Sequence, residues 1–192
     1  MPRRRPASRR ERAPRWSGPW PHCGRPVARS LWRRIGAVRR GSDDPLELGR
    51  VTDRRPPFKY SALTRVWFSD TDAQGIVYYG RYLPYFDHAR VEYHRHLGLL
   101  HTPGAEFVMR ALQVVYHAPA RFDDLIETFV RIPRIGRSSV SYECAAYRLP
   151  DDVLMVTATE TVVLVDTTHR RPTQVPDALR EQVRAFEGAD LE

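Results

Sequence analysis

Phe68-Ser-Asp-Thr-Asp-Ala-Gln-Gly-Ile-Val-Tyr-Tyr79 is the stretch on which the reading of this chain turns. It sets two carboxylates two residues apart, places Gly75 after them, and ends on paired tyrosines where a helical pattern begins. Upstream, residues 60–69 mix β-branched and aromatic side chains and read as a first strand. Leu63 and Trp67 fall on one side of its pleat, and Thr64, Val66 and Phe68 on the other. Downstream, over residues 80–99, Tyr82, Phe86, Ala89, Tyr93 and Leu97 recur at spacings of 4, 3, 4 and 4, the apolar stripe of a helix. Pro84 fits only near its first turn and Gly98 near its end.

If the extended geometry persists past the strand, Asp70 and Asp72 point to the same face. Gly75 then lets the backbone turn tightly before a helix start near Tyr79 or Gly80. The combination is a carboxylate close to unpaired N–H groups at the positive end of a helix. Those N–H groups can bind an oxygen that gains negative charge, while the carboxylate activates water or attacks directly. Asp-Thr-Asp before a helix is equally an ordinary capping and turn motif, and spacing alone leaves both readings open.

The remainder reads as strands over 107–117, 125–134, 138–148 and 153–165. Turn residues separate them at Ala118-Pro-Ala120, Gly136 and Pro150-Asp-Asp152. Residues 166–172 break the pattern, and Asp177 caps a closing helix through Phe186. The order β-α-β-β-β-β predicts an α+β fold in which a curved antiparallel sheet wraps around one long helix. A sheet covered by one helix leaves much of itself bare, so a homo-oligomer is expected.

The net charge of +8 would suggest a nucleic-acid partner if it were spread evenly. It is not: residues 1–51 hold 14 Arg and 4 acidic residues, which leaves 17 basic against 19 acidic residues over 52–192. The basic balance belongs to the tail, and nucleic acid is not the expected partner of the folded part. Residues 1–55, rich in Arg, Pro, Gly, Ser and Ala, are expected to be a disordered N-terminal extension, and residues 56–192 the folded domain. Three origins fit that extension: an arm for nucleic acid or an anionic surface, an organelle transit peptide, or an upstream stretch joined by too early a start. Cys23 and Cys144 lie in segments of opposite character, so no disulfide is expected. No stretch approaches the ~20 apolar residues of a membrane span, and the chain is read as cytoplasmic.

Two motifs carry a resemblance. The first is Asp70-Thr-Asp-Ala-Gln-Gly-Ile-Val-Tyr-Tyr-Gly-Arg-Tyr-Leu-Pro-Tyr-Phe-Asp-His-Ala-Arg90, and the second is Val115-Tyr-His-Ala-Pro-Ala-Arg-Phe-Asp-Asp124. Together they resemble the 4-hydroxybenzoyl-CoA thioesterase branch of the hotdog superfamily, including the acyl-CoA thioesterases associated with the bacterial Tol-Pal system. The resemblance runs from about residue 60 to 185. It implies a hotdog fold and hydrolysis of acyl-CoA thioesters in a homodimer or homotetramer, with the acyl chain in a pocket beside the helix at a subunit interface. It makes Asp72 the catalytic carboxylate and the Tyr79 N–H the group that polarises the thioester carbonyl. The Tol-Pal-associated members usually carry His where this chain has Tyr79. Two alternatives accompany this reading: an acyl carrier protein thioesterase, and a non-catalytic hotdog subunit with a nucleic-acid-binding basic tail.

Thioester hydrolysis needs a base, an oxyanion site and water, so no cofactor and no metal are expected. His94 and His96 point apart on a helix, while His88 and His101 have no partner at ligand spacing, and these four read as surface or interface histidines. His117 reads as structural. Asp87 and Arg90, at i,i+3, are expected to pair, and Cys144 to pack in the core. Arg134, Arg137 and Ser138, around the turn at Gly136, are candidates to hold the CoA phosphates, because Arg supplies planar paired donors.

Overall fold

The helix that the apolar stripe predicts is α1, Tyr82–His96, in a computed structural model that describes residues 48–192. Tyr82, Phe86, Ala89 and Tyr93 on the stripe are all buried. Pro84 lies in the first turn, where its missing N–H costs nothing, and Gly98, just past the end, has φ +70°.

Six strands form one antiparallel sheet: β1 (Gly49–Arg55), β2 (Phe58–Arg65), β3 (Ala105–Tyr116), β4 (Leu125–Ile135), β5 (Ser139–Leu149) and β6 (Val153–Asp166). Their order is β1-β2-β4-β5-β6-β3, so β3 is an edge strand. Tyr60, Ile126, Val130, Ile132, Tyr142, Met155 and Leu164 from the sheet join Phe86, Ala89 and Tyr93 of α1 in one core. Burying a side chain such as Phe86 contributes about 2–3 kcal/mol.

One long helix inside the sheet is not the whole of it, because a second helix, α2 (Asp177–Glu187), packs beside β4. Leu179 and Val183 are buried, and Phe186 stands edge-on to Tyr93 at 5.6 Å. Glu187 fastens the end of α2: its Oε1 accepts hydrogen bonds from the Tyr93 hydroxyl (2.6 Å) and the Ile132 N–H (3.0 Å). The closing helix is therefore a structural layer of the domain.

The boundary expected at residue 55 is also corrected. Gly49–Arg55 form β1, antiparallel to β2, with Gly49 opposite Ala62 and Arg55 opposite Phe58. Composition misled because it counts arginines as solvated, whereas here they grip a buried carboxylate. Glu127 is 0% exposed; it accepts from Arg50 Nη2 (2.7 Å) and the Ser61 hydroxyl (2.8 Å) and pairs with Arg54. The expectations placed on residues 1–47, including Cys23, lie outside the described residues. Among the described residues, no helix is long and apolar enough to cross a membrane.

The first strand also ends earlier than expected. β2 stops at Arg65, and a single 3-10 turn, Phe68–Asp70, follows. Trp67 and Phe68 consequently leave the pleat and are 70% and 79% exposed. The chain returns to the helix through a bridge between Thr71 and Val77.

Candidate active site

Asp70 and Asp72 do not share a face, because the 3-10 turn separates their directions. Asp70 is 2% exposed and binds inward. Its Oδ2 accepts from the Trp67 N–H (3.0 Å) and the Tyr85 hydroxyl (2.6 Å), and its Oδ1 from Arg81 Nε (2.8 Å). Burial pushes the Asp70 carboxyl up, but the bonds from Tyr85, Trp67 and Arg81 outweigh it and hold the group below the ordinary carboxylate range. Its backbone carbonyl also accepts from the Tyr78 N–H at 2.9 Å. Asp70 thus joins the end of the strand region to the start of α1.

Asp72 sits in the tight turn between these anchors. The Gly75 N–H donates to the Asp72 carbonyl (3.0 Å), and the Asp72 N–H to the Ile76 carbonyl (2.9 Å). Gly75 has φ +73°, which glycine adopts without steric strain. Asp72 Oδ1 accepts from the Gln74 N–H at 2.8 Å, and Oδ2 has no protein partner among the described residues. The carboxylate is held by one oxygen and offers the other.

That carboxylate opens on a cleft of about 390 Å³, lined also by Val77, Tyr79, Tyr82, Tyr116 and Ala118. Tyr79 begins a 3-10 turn, Tyr79–Arg81, that runs directly into α1. Among the described residues, the Tyr79 N–H has no backbone acceptor, as expected at the head of a helix. The Tyr79 side chain is 62% exposed, so the backbone is its better-placed part. A Cβ at Gly80 would come to 3.1 Å from the Tyr78 ring, a tight approach. The Tyr116 hydroxyl donates to the Tyr79 carbonyl at 3.1 Å, and the Tyr116 ring stands edge-on to Tyr79 and Tyr82.

Arg134, Arg137 and Ser138 are not brought to this cleft within one chain. Tyr116 lies opposite Val156 on β6, whereas the Ser138 carbonyl accepts from the Leu164 N–H. Eight strand residues separate these points, on the order of 25 Å. The turn is secured by Arg180, whose Nη2 donates to the Gly136 carbonyl (2.6 Å), while Arg134 and Arg137 have no side-chain ion-pair partner among the described residues.

Among the other expected groups, Cys144 is buried, and burial pushes its thiol well up. Arg90 pairs with Asp87 and also reaches Glu160 at 3.2 Å. His94 is corrected: it is buried rather than at the surface, with Nε2 2.7 Å from the Tyr142 hydroxyl, and burial pushes it down to about 4. His117 also lines the cleft, its Nε2 3.1 Å from Thr157 Oγ1. Sequence reasoning missed Arg81, Tyr85 and Tyr116. Arg81 and Tyr85 stand four apart at the helix start, a spacing that puts them on one face, whereas nothing local links Tyr116 to Tyr79.

Residues 66–183 match the model of the Thioesterase-like superfamily, and the chain belongs to that superfamily. It is 33% identical over 127 residues to the acyl-CoA thioesterase YbgC of Haemophilus influenzae, covering 63% of this chain and 91% of the relative. It is 32% identical over 119 residues to the acyl-CoA thioester hydrolase YbgC of Escherichia coli O6:H1, covering 60% and 88%. A thioesterase from Thermus thermophilus, crystallised with coenzyme A and zinc, superposes with a TM-score of 0.59 at 28% identity, over 67% of this chain and 94% of that one. The 1,4-dihydroxy-2-naphthoyl-CoA thioesterase Slr0204 of Synechocystis shares the fold, with a TM-score of 0.60 at 16% identity over 64% and 93%.

Proposed function

We propose that this protein hydrolyses acyl-CoA thioesters, with Asp72 as the catalytic carboxylate and the Tyr79 N–H as the oxyanion donor. The observation that carries the reading is that Asp72, whose Oδ2 has no partner among the described residues, and Tyr79, at the start of the turn into α1, line the same cleft. The thioester carbonyl accepts from the Tyr79 N–H, and the positive end of α1 favours the charge that grows on that oxygen. Asp72 takes a proton from water as the water oxygen attacks the carbonyl carbon, or attacks that carbon itself to give an anhydride that water then opens. In both routes the C–S bond breaks and the electron pair leaves with sulfur as CoA thiolate. The Tyr79 side chain is assigned no proton transfer, and the chemistry calls for no cofactor.

The assembly is a homodimer joined along β3. That edge strand is 12 residues long and exposes Val108, Met109, Leu112 and Val115, a surface that another strand would cover. Antiparallel two-fold pairing sets the Ala105 end of one β3 beside the Tyr116 end of the other. The turn carrying Arg134, Arg137 and Ser138 would then approach the partner's cleft, where the two guanidiniums, without ion-pair partners among the described residues, can take the phosphates of CoA.

CoA release from a panel of acyl-CoAs, followed with a thiol reagent, tests the proposal. Asp72→Asn keeps an acceptor for the Gln74 N–H, so its fold and melting temperature stay as in wild type. Its kcat falls by at least about a hundredfold. Equal rates for wild type and Asp72→Asn on every substrate would sink the assignment.

A further inference from the structure

We propose that Tyr116 is a positioning residue for this reaction, acting through the backbone of Tyr79; the inference rests on the thioesterase reading above. Three observations carry it. The Tyr116 hydroxyl donates to the Tyr79 carbonyl at 3.1 Å, a contact from the last residue of β3 to the first of the turn that opens α1. The Tyr116 ring stands edge-on to Tyr79 (6.5 Å between centroids) and to Tyr82 (5.9 Å), so one side chain contacts the first residue of that turn and the first residue of α1. Tyr82 is itself fixed: it is buried, and its hydroxyl oxygen accepts from the Ala120 N–H of the second motif at 3.1 Å.

The physical consequence concerns the peptide that carries the oxyanion donor. The Tyr79 N–H belongs to the Tyr78–Tyr79 peptide, whose carbonyl accepts from the Arg81 N–H at 2.7 Å and closes a single 3-10 turn, while the Tyr79 side chain is mostly exposed. On one flank, the Tyr78 N–H is tied to the Asp70 carbonyl at 2.9 Å. On the other flank the Arg81 side chain is held by Asp70, and the Tyr116 hydroxyl adds a bond to the turn from β3. An oxyanion donor must be aimed before charge develops, because reorientation during the reaction removes its benefit. Tyr116 anchors the adjoining Tyr79–Gly80 peptide and so limits how far the donor peptide can turn about the Tyr79 Cα, without touching the reacting atoms. Because Tyr116 also ends the edge strand, the same bond links the geometry of β3 to the donor.

Tyr116→Phe removes one oxygen and leaves the ring contacts. We expect kcat to fall about five- to tenfold, with KM within about twofold of wild type and a melting temperature within about 2 °C. The pH dependence of kcat keeps its shape, since the hydroxyl moves no proton in the reaction. Amide exchange over residues 78–82 quickens while that of the sheet is unchanged. Tyr116→Leu, which also removes the ring contacts, lowers kcat further. An unchanged kcat in Tyr116→Phe overturns the inference, as does a rise in KM alone, which would make Tyr116 a substrate contact. A fall in kcat matched by a lower melting temperature and faster exchange throughout the sheet also overturns it, leaving a merely structural role. If wild type releases no CoA, the thioesterase reading fails. If wild type is active, Asp72→Asn is not, and Tyr116→Phe equals wild type, the positioning role alone fails.

Discussion

Replacing Asp70 by alanine separates the carboxylate that builds the site from the one assigned to chemistry. The substitution leaves the buried Tyr85 hydroxyl and the Trp67 N–H without their acceptor, together with the Arg81 guanidinium. A buried donor left unpaired costs about 1–3 kcal/mol. The Arg81 side chain is 45% exposed and can turn to water, so its share is discounted. The sum is about 3 kcal/mol, a fall of roughly 6–12 °C in melting temperature for a domain of this size. Urea unfolding at fixed slope m measures it. The pH dependence gives a second check. The Asp70 carboxyl is held below its ordinary value of 3.8, so its contribution is present above that pH and is lost as pH falls through the lower folded value. The gap between wild type and Asp70→Ala is therefore full at neutral pH and narrows below about pH 4. Turnover falls too, because the loop carrying Asp72 loses its tie to α1. A midpoint for Asp70→Ala equal to that of wild type at neutral pH would refute the clamp and the division of labour drawn from it.

Glu127→Gln takes the buried charge from Arg50 and leaves Arg54 only its exposed pair with Asp152, and we expect a loss of about 2 kcal/mol with faster amide exchange confined to residues 49–62, read by mass spectrometry. His94 is pushed down to about 4 from 6.5 by burial, so its folded form resists protonation. Stability is full above pH 6.5 and falls by on the order of 3 kcal/mol toward pH 4, a slope that urea titrations should find flattened in His94→Gln. If the proposed dimer forms along β3, Leu112→Glu, at the middle of that strand, should give a monomer by light scattering while leaving the circular dichroism spectrum unchanged.

Much of the fold was legible because its signals are periodic and local. The stripe from Tyr82 to Tyr93 and the alternation through β4, β5 and β6 follow from helical and pleated geometry alone, and the ends of β3, β4, β5 and β6 came within two residues, whereas β2 ended four residues early. β1 was not legible. Its arginines look solvated in composition, and only the fold places Glu127 beneath them. α2 was seen as a segment but not as a layer, since Glu187 meets Tyr93 and Ile132 from far along the chain. His94 shows the same limit, because burial is a property of neighbours.

The sequence by itself determined where the candidate site lies: Asp70, Asp72, Gly75 and Tyr79 are within ten residues, and that proximity survives folding. Tertiary structure decided what each of them touches. The 3-10 turn sends Asp70 inward to Arg81 and Tyr85 and leaves Asp72 on the cleft, a difference of direction that spacing does not encode. It also brings Tyr116 to Tyr79 across 37 residues, and it sets Arg134, Arg137 and Ser138 at the other end of the sheet. Local pattern specifies which elements form; hydrogen bonds between distant elements fix which side chains meet.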